Sequence, residues 1–291
     1  MKHDMSETIL TLHISGAHFS TCMFCLQTGA MVPQAYQRIP ISYKLKADRL
    51  LQVWKNAIAN LPAVYLANLA GCAIAVPLPF IDEGVRDVGA CADRYVNLYP
   101  VDLISFFADT LNLHPDDVQL IYNGSVYLKG ALSAHPHLDV PGVASVYLGT
   151  DLSSSVVRAQ GIQHLGLEGK RYLNKRANDY LSAQALLKSY YDETGISVIN
   201  VEQLVELSKE NATAREVLKD FLRRAFSFLS REAVHNRIHT LILGGDVIRY
   251  HNDLVPFPKQ ERTPKIICWS DEDDLFHRGA FLLSAELNCT V

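Results

Sequence analysis

The chain has 291 residues, 48% of them hydrophobic, enough to build one large or two ordinary globular domains with a sizeable core. Its 27 Lys and Arg against 31 Asp and Glu give a net charge of −4, which argues against nucleic acid as a partner. The apolar passage from Leu61 to Phe80 is broken by Pro62, Asn68, Gly71, Pro77 and Pro79, so it cannot cross a membrane as a helix. The opening Met1-Lys-His-Asp-Met-Ser-Glu lacks the apolar core of a signal peptide, and the expected location is the cytoplasm.

In chain order, Thr8 to Phe19 reads as a strand turning at Ser15-Gly16, and Ser20 to Leu26 as a second strand ending at Thr28-Gly29. The spacing of Leu50, Leu51, Trp54 and Ile58 predicts a helix over 47–60. Ala73 to Val76 is a short buried strand stopped by Pro77. A helix from Val101 to Leu111, with Asp102 near its start, leads to a strand from Val118 to Tyr122. Asn123-Gly124-Ser125 follows, then a short helix from Val126 to Leu132. After an exposed loop, 133–142, a second hairpin spans Val143 to Val157. Its turn carries Gly149, Thr150 and Asp151, then three serines, Ser153, Ser154 and Ser155, where a phosphate-holding turn favours glycine. Helices are expected over 178–191, 201–209 and 212–236, then strands at Thr240–Leu243 and Lys265–Cys268, and a last helix over 273–287. Two halves that each open with a hairpin and continue into α/β units suggest a duplicated fold with a central cleft.

Six cysteines are scattered, and most sit in apolar surroundings that suit reduced, buried thiols. Cys22-Met-Phe-Cys25 has the spacing of a redox or zinc pair, but on a strand residues three apart point to opposite faces.

The order of these landmarks resembles the ROK family of sugar kinases and sugar-responsive repressors, within the actin-like ATPase superfamily. Ala73-Ile-Ala-Val-Pro-Leu-Pro79 is similar to that family's V-P-G-P turn, Tyr147-Leu-Gly-Thr150 to its L-G-T-G hairpin, Tyr180-Leu-Ser182 to the start of its C-L-E-x-Y-x-S helix, and Leu241-Ile-Leu-Gly-Gly245 to its V-L-G-G-G strand. The resemblance implies a two-lobed, ribonuclease H-like α/β fold. The expected lobes are residues 1–122 with 275–291, and 123–274. It also implies sugar contacts at Asn97, Asn123 and Asn178, and nucleotide contacts at Ser15, Gly16, Gly149, Thr150, Gly244 and Gly245. The ligands implied are a sugar and, in an active enzyme, ATP with Mg²⁺; a homodimer is the expected assembly.

Kinases of this kind need a carboxylate that accepts the sugar hydroxyl's proton during phosphoryl transfer. Matching the family's E-N-D motif gives Tyr122-Asn123-Gly124, so the base position is Gly124, which has no side chain. The leading acid of D-x-G-G-T is replaced by His13. Asp151 stands where phosphates would approach and repels them unless a metal lies between. The family's zinc loop is absent, since 160–175 contains no cysteine, and the glutamate of C-L-E aligns with Asn178. These departures point to a degenerate kinase homologue that binds a sugar or nucleotide. The alternative is an active ATP-dependent hexose kinase whose base has moved, with Asp82, Glu83 and Asp87 as carboxylates near the Pro79 turn. His135-Pro-His137 reads as turn chemistry rather than a metal site, Asp246 as a turn or cap residue beside Gly245, and Asp271-Glu-Asp-Asp274 as dipole complement to the last helix.

Overall fold

A computed structural model describes residues 7–42, 45–77, 95–98, 100–248, 264–268 and 272–288. The chain divides into two compact units, Met1–Ser133 with Asp273–Val291, and Ala134–Glu272. The boundary expected after Tyr122 would assign the helix at Asn123–Ala134 to the second lobe; in this division it stays with the first unit, apart from Ala134. Asp82, Glu83, Asp87, Cys91, Asp271 and Cys289 lie outside the described residues.

The first unit is built on a five-stranded sheet of order β3-β2-β1-β4-β5. Its strands are β1 (Thr8–Ile14), β2 (His18–Cys25), β3 (Gln37–Pro40), β4 (Leu69–Val76) and β5 (Val118–Tyr122). The β1-β4-β5 pairs are parallel, and β2 and β3 add on antiparallel. Alternation along β1 splits its side chains between two faces. Leu10, Leu12 and Ile14 join one core with Phe19, Trp54 and Phe107, whereas Ile9 packs with Cys22, Phe24 and Phe281 on the other side. Both faces are therefore covered, which explains why β1 has no exposed residue.

Helix α1 (Ala47–Ala59) buries Leu50, Trp54, Ala57 and Ile58, one stripe at helical spacing, and the Trp54 ring stacks on Phe19 and Phe107. The short α2 (Ala63–Leu66) precedes β4. Helix α3 (Leu103–Leu111) starts at Asp102, whose carboxylate accepts from Ser105 N and Ser105 Oγ. Those two hydrogen bonds hold its carboxyl below the usual range.

Helix α4 (Asn123–Ala134) begins directly at the end of β5, three residues earlier than the sequence pattern suggests, because Asn123, Gly124 and Ser125 already have helical geometry. It crosses the last helix, which for continuity with those below is α8 (Glu272–Asn288), at two glycines. A Cβ on Gly130 would lie 2.0 Å from the Leu275 carbonyl oxygen, and one on Gly279 would lie 1.9 Å from that of Val126.

The second unit repeats the same strand order, β8-β7-β6-β11-β12. Strands β6 (Val143–Leu148), β11 (Thr240–Gly244) and β12 (Lys265–Cys268) are parallel, and β7 (Leu152–Arg158) and β8 (Gly161–His164) are antiparallel additions. A two-residue-stranded hairpin, β9 (Arg171–Tyr172) and β10 (Lys175–Arg176), follows. Helices α5 (Ala183–Thr194), α6 (Val201–Ser208) and α7 (Ala212–His235) cover this sheet. Ser182, Asn200 and Asn211 cap them, each accepting from a backbone N–H three residues on. The helix expected over 178–191 is a 3-10 turn at Ala177–Asp179 followed by α5, since Ser182 takes the capping position. The strands β3, β8, β9 and β10 were not expected from the sequence; each is short and half exposed, with too few apolar positions to show a period. No helix among the described residues is long and apolar enough to cross a membrane.

Candidate functional site

In the first unit the parallel strands β1, β4 and β5 end together. Ala75 pairs with His13 on one side and Ile121 on the other, and Val76 pairs with Tyr122. Ser15, Pro77 and Asn123 thus follow the three strands along one edge. The carboxyl ends of parallel strands are where open α/β sheets collect ligands.

Asn123 is 7% exposed, and its Oδ1 has no hydrogen-bond partner among the described residues. A buried acceptor left dry costs about 1–3 kcal/mol, so this oxygen calls for a donor from a ligand or water. Gly124 beside it is buried and brings no functional group.

At the other end of the edge, the Ser15 hydroxyl accepts from Ala17 N and His18 N and closes the β1–β2 turn around Gly16. Arg38 Nη2 on β3 donates to His18 Nδ1 at 3.3 Å, and Ser15 Oγ lies 2.9 Å from the same nitrogen. A guanidinium only donates, so this contact assigns the His18 proton to Nε2. His13 is buried and stacks on Phe276 at 3.9 Å, with His18 edge-on to it at 5.0 Å and Tyr127 tilted against Phe276 at 5.5 Å. One helical turn beyond Asn123, Tyr127 thus joins a row of four rings that reaches the β1–β2 turn. Beneath α8, His277 bridges Thr11 Oγ1 and Ser20 Oγ at 2.9 and 3.0 Å.

In the second unit the β6–β7 hairpin closes at the pair Leu148 and Leu152, so its turn is Gly149-Thr150-Asp151 alone. Ser153, Ser154 and Ser155 are not turn residues; they are buried on β7. Ser154 Oγ donates to Glu168 Oε2 at 2.9 Å and accepts from Leu167 N, and His164 Nε2 contacts the other oxygen of Glu168. The serine run is therefore a strand with an internal polar anchor.

Asn178 is 1% exposed; its Oδ1 accepts from Leu152 N at 2.7 Å and its Nδ2 donates to Asp151 Oδ1 at 3.2 Å. Both ends of that amide hold the turn. The Gly149 carbonyl accepts from Ala183 N at 2.8 Å, and the Tyr147 ring lies over Gly149, 2.3 Å from where a Cβ would stand. Gly245 has φ +110°, and a Cβ there would be 2.2 Å from the Leu148 carbonyl oxygen, so glycine is required for β11 to end against β6. Gly149, Thr150, Asn178, Gly244 and Gly245 therefore come together around one hairpin. Asn97 is elsewhere, exposed in a 3-10 turn and donating to the Leu45 carbonyl. Among the described residues no group of three or more His, Cys, Asp or Glu is placed to hold a metal.

No known family profile matches the chain, and no curated protein matches it in sequence. Solved structures do match along its whole length. A ROK family glucokinase from Streptomyces griseus, in complex with glucose and AMPPNP, superposes with a TM-score of 0.70 at 12% identity, covering 96% of this chain and 99% of that one. A ROK family protein from Streptococcus pneumoniae TIGR4, in complex with sucrose, gives 0.64 at 14% identity, covering 98% and 100%. The chain has the ROK fold. A ROK family transcriptional regulator, homologue of the E. coli MLC protein, gives 0.67 at 12% identity, with 97% of this chain covering 79% of that one. The ROK fold is that of the actin-like ATPases, and the two mixed sheets of identical strand order are its duplicated cores.

Several residues of this ROK-fold site were invisible to sequence reasoning. Arg38 and His18 meet only because β3 adds to β2, and β3 has four residues with no apolar run. Phe276 and Tyr127 read as ordinary core positions, and their approach to His13 is set by the α4–α8 crossing. The Asp151–Asn178 contact joins residues far apart in sequence, and nothing in either segment announces the other.

Proposed function

We propose that this chain is a sugar-binding protein on a kinase fold that has lost most of its phosphotransfer activity. The observation that carries the reading is the start of α4. Asn123 keeps a buried acceptor ready for a hydroxyl donor, while the adjacent Gly124 offers no carboxylate to take a proton. Loss of a general base costs about 10²–10⁴-fold in rate. Structures of this fold include complexes with glucose and with sucrose, which makes a sugar the first ligand to test.

A nucleotide triphosphate suits the second unit's hairpin poorly. Asp151 is a carboxylate within the turn, and the Tyr147 ring covers Gly149, where an anion would need close approach to the backbone. In this reading Gly149, Thr150, Gly244 and Gly245 shape the hairpin more than they hold phosphate, and Asn178 serves the turn rather than the sugar.

The test is a ligand panel. Hexoses and disaccharides at saturating concentration are expected to raise Tm, because a ligand of the native state alone stabilises it. ATP with Mg²⁺ is expected to leave Tm unchanged, and incubation of the hexoses with both is expected to yield no sugar phosphate. Sugar phosphate formed at rates typical of a kinase, and abolished by removing one nearby carboxylate, would overturn the reading in favour of an active enzyme with a moved base.

A further inference from the structure

Two surface patches of opposite charge lie at the two ends of α5. The first is the β9–β10 hairpin, whose tip is Leu173-Asn174. It is held to the unit beneath, because the Tyr172 ring packs edge-on against Phe228 and Tyr180, the Tyr180 hydroxyl donates to Asn174 Oδ1, and Lys170 pairs with Glu232. Tyr180 stands two residues before Ser182, the cap of α5, so the tip is anchored at the start of that helix. Leu173 is 64% exposed and has φ +53°, a left-handed backbone that a leucine adopts at a cost. The flanking Arg171 and Lys175 are exposed and make no ion pair among the described residues; across the ladder Arg171 faces Arg176, which offers it no opposite charge. The hairpin thus presents a leucine between two cations on a fixed mount.

The second patch is the loop from α5 to α6, residues 195–200. Gly195 ends α5, and around it Tyr191, Ile196 and Ile199 are exposed, Ile199 to 86%. Large apolar side chains gathered on the surface of one loop mark a contact surface. Glu193 before the loop and Glu202 after it are exposed, and among the described residues neither forms an ion pair. An apolar surface rimmed by two carboxylates is the complement of a leucine between two cations. Within one chain the two patches are kept apart, since the 12 residues of α5 separate them by about 18 Å.

We propose that the chain forms a closed two-fold pair in which the hairpin of each copy docks on the α5–α6 loop of the other. With the two α5 helices antiparallel, the tip at the start of one helix meets the loop at the end of the other, and both contacts form at once. Leu173 then packs against Ile196 and Ile199, with Arg171 and Lys175 set against Glu193 and Glu202. Between the patches, the exposed Lys188 of α5 is paired with its own Asp192 at 2.6 Å, so it does not repel its counterpart as a bare cation would.

Sedimentation equilibrium of the full chain tests it with two variants, a hairpin variant Arg171→Glu/Lys175→Glu and a loop variant Glu193→Lys/Glu202→Lys, each checked for its fold by circular dichroism. The unaltered chain is expected to dimerise at low salt and to dissociate as salt rises, because its charged contacts lie at the surface. Each variant alone is expected to raise the dimer Kd tenfold or more, since both of its patches then carry one sign. Mixed in equal amounts, the two variants are expected to pair with each other about as tightly as the unaltered chain, a recovery that damage to folding would not give. Leu173→Ser, which keeps the charges, is expected to weaken the dimer as well. A chain that stays monomeric up to about 100 μM at low salt, a dimer indifferent to these changes, or variants that stay apart on mixing would each overturn the pairing. So would assemblies that keep growing beyond two copies, the mark of an open head-to-tail contact.

Discussion

Asn178 and Asp151 are 27 positions apart, yet one side chain completes the turn that carries the other. The Asn178 amide supplies an acceptor to Leu152 N and a donor to Asp151 Oδ1, both in a buried setting. Asn178→Ala strands a buried N–H and removes a donor from a carboxylate. The expected loss is about 2–4 kcal/mol of stability, read as a lower urea midpoint with unchanged m-value. If Asn178 instead mainly touched a ligand, stability without sugar would stay within about 0.5 kcal/mol. Residues of this kind explain what the sequence could and could not reveal. Asp102 was legible as a helix start because its cap is local. Asn178 was not, because its partners belong to a strand and a turn that only the fold brings near. The cysteines were legible in part: burial pushes the Cys22 thiol up to about 12 and Cys268 to about 11, as expected of packed, unreactive thiols. Gly124 was legible as a position with no side chain to offer, but not as one that lies inside a helix beginning at Asn123.

Among the elements, α4 and α8 make the closest approach, with backbone against backbone at Gly130 and Gly279. Either Gly130→Ala or Gly279→Ala places a methyl inside the contact distance of a carbonyl oxygen, and the helices must move apart. The expected cost is about 2–3 kcal/mol despite the better helix propensity of alanine, and urea denaturation reads it. The row of rings from Tyr127 to His18 would loosen with it. In the second unit, the loop before β9 is tied to α7 by Lys170 Nζ and Glu232 Oε2 at 2.5 Å, with Arg231 on the other carboxylate oxygen. Burial raises the Glu232 pKa, but the hydrogen bonds and charges of Lys170 and Arg231 outweigh it, and the net shift is downward. A depressed carboxyl contributes stability that is present above its unfolded value and lost as pH falls through its lower folded value. Lys170→Met is therefore expected to lower stability by about 1 kcal/mol at pH 7, and the difference from the parent protein is expected to shrink as falling pH protonates Glu232, a trend that paired Tm measurements over a descending pH series read. These elements divide by length in how far sequence reveals them. α7, with 24 residues and a long apolar stripe, was readable. The β9–β10 hairpin, two residues on each side, was not.

The whole molecule repeats one sheet order in two units, each with its own buried cluster. The repeated hairpins and α/β connections are long, strongly patterned features, which is why the duplicated architecture could be read from the chain. The second unit is continuous from Ala134 to Glu272 and carries a core that includes Phe221, Phe226, Phe228 and Tyr190. Produced alone, it is expected to unfold cooperatively in urea; a broad, non-cooperative transition would show that its core is insufficient by itself. The first unit is discontinuous, because α8 comes from the far end of the chain. That arrangement imposes an order on synthesis. By the time the ribosome reaches α8, β1 to β5 and α4 have long since emerged, and a whole second unit has been made. During that interval Ile9, Cys22 and Phe24 lack Phe281, and Thr11 and Ser20 lack His277. The nascent chain thus carries an uncovered sheet face until its last helix arrives, so premature termination upstream of α8 yields an aggregation-prone fragment rather than a smaller working protein.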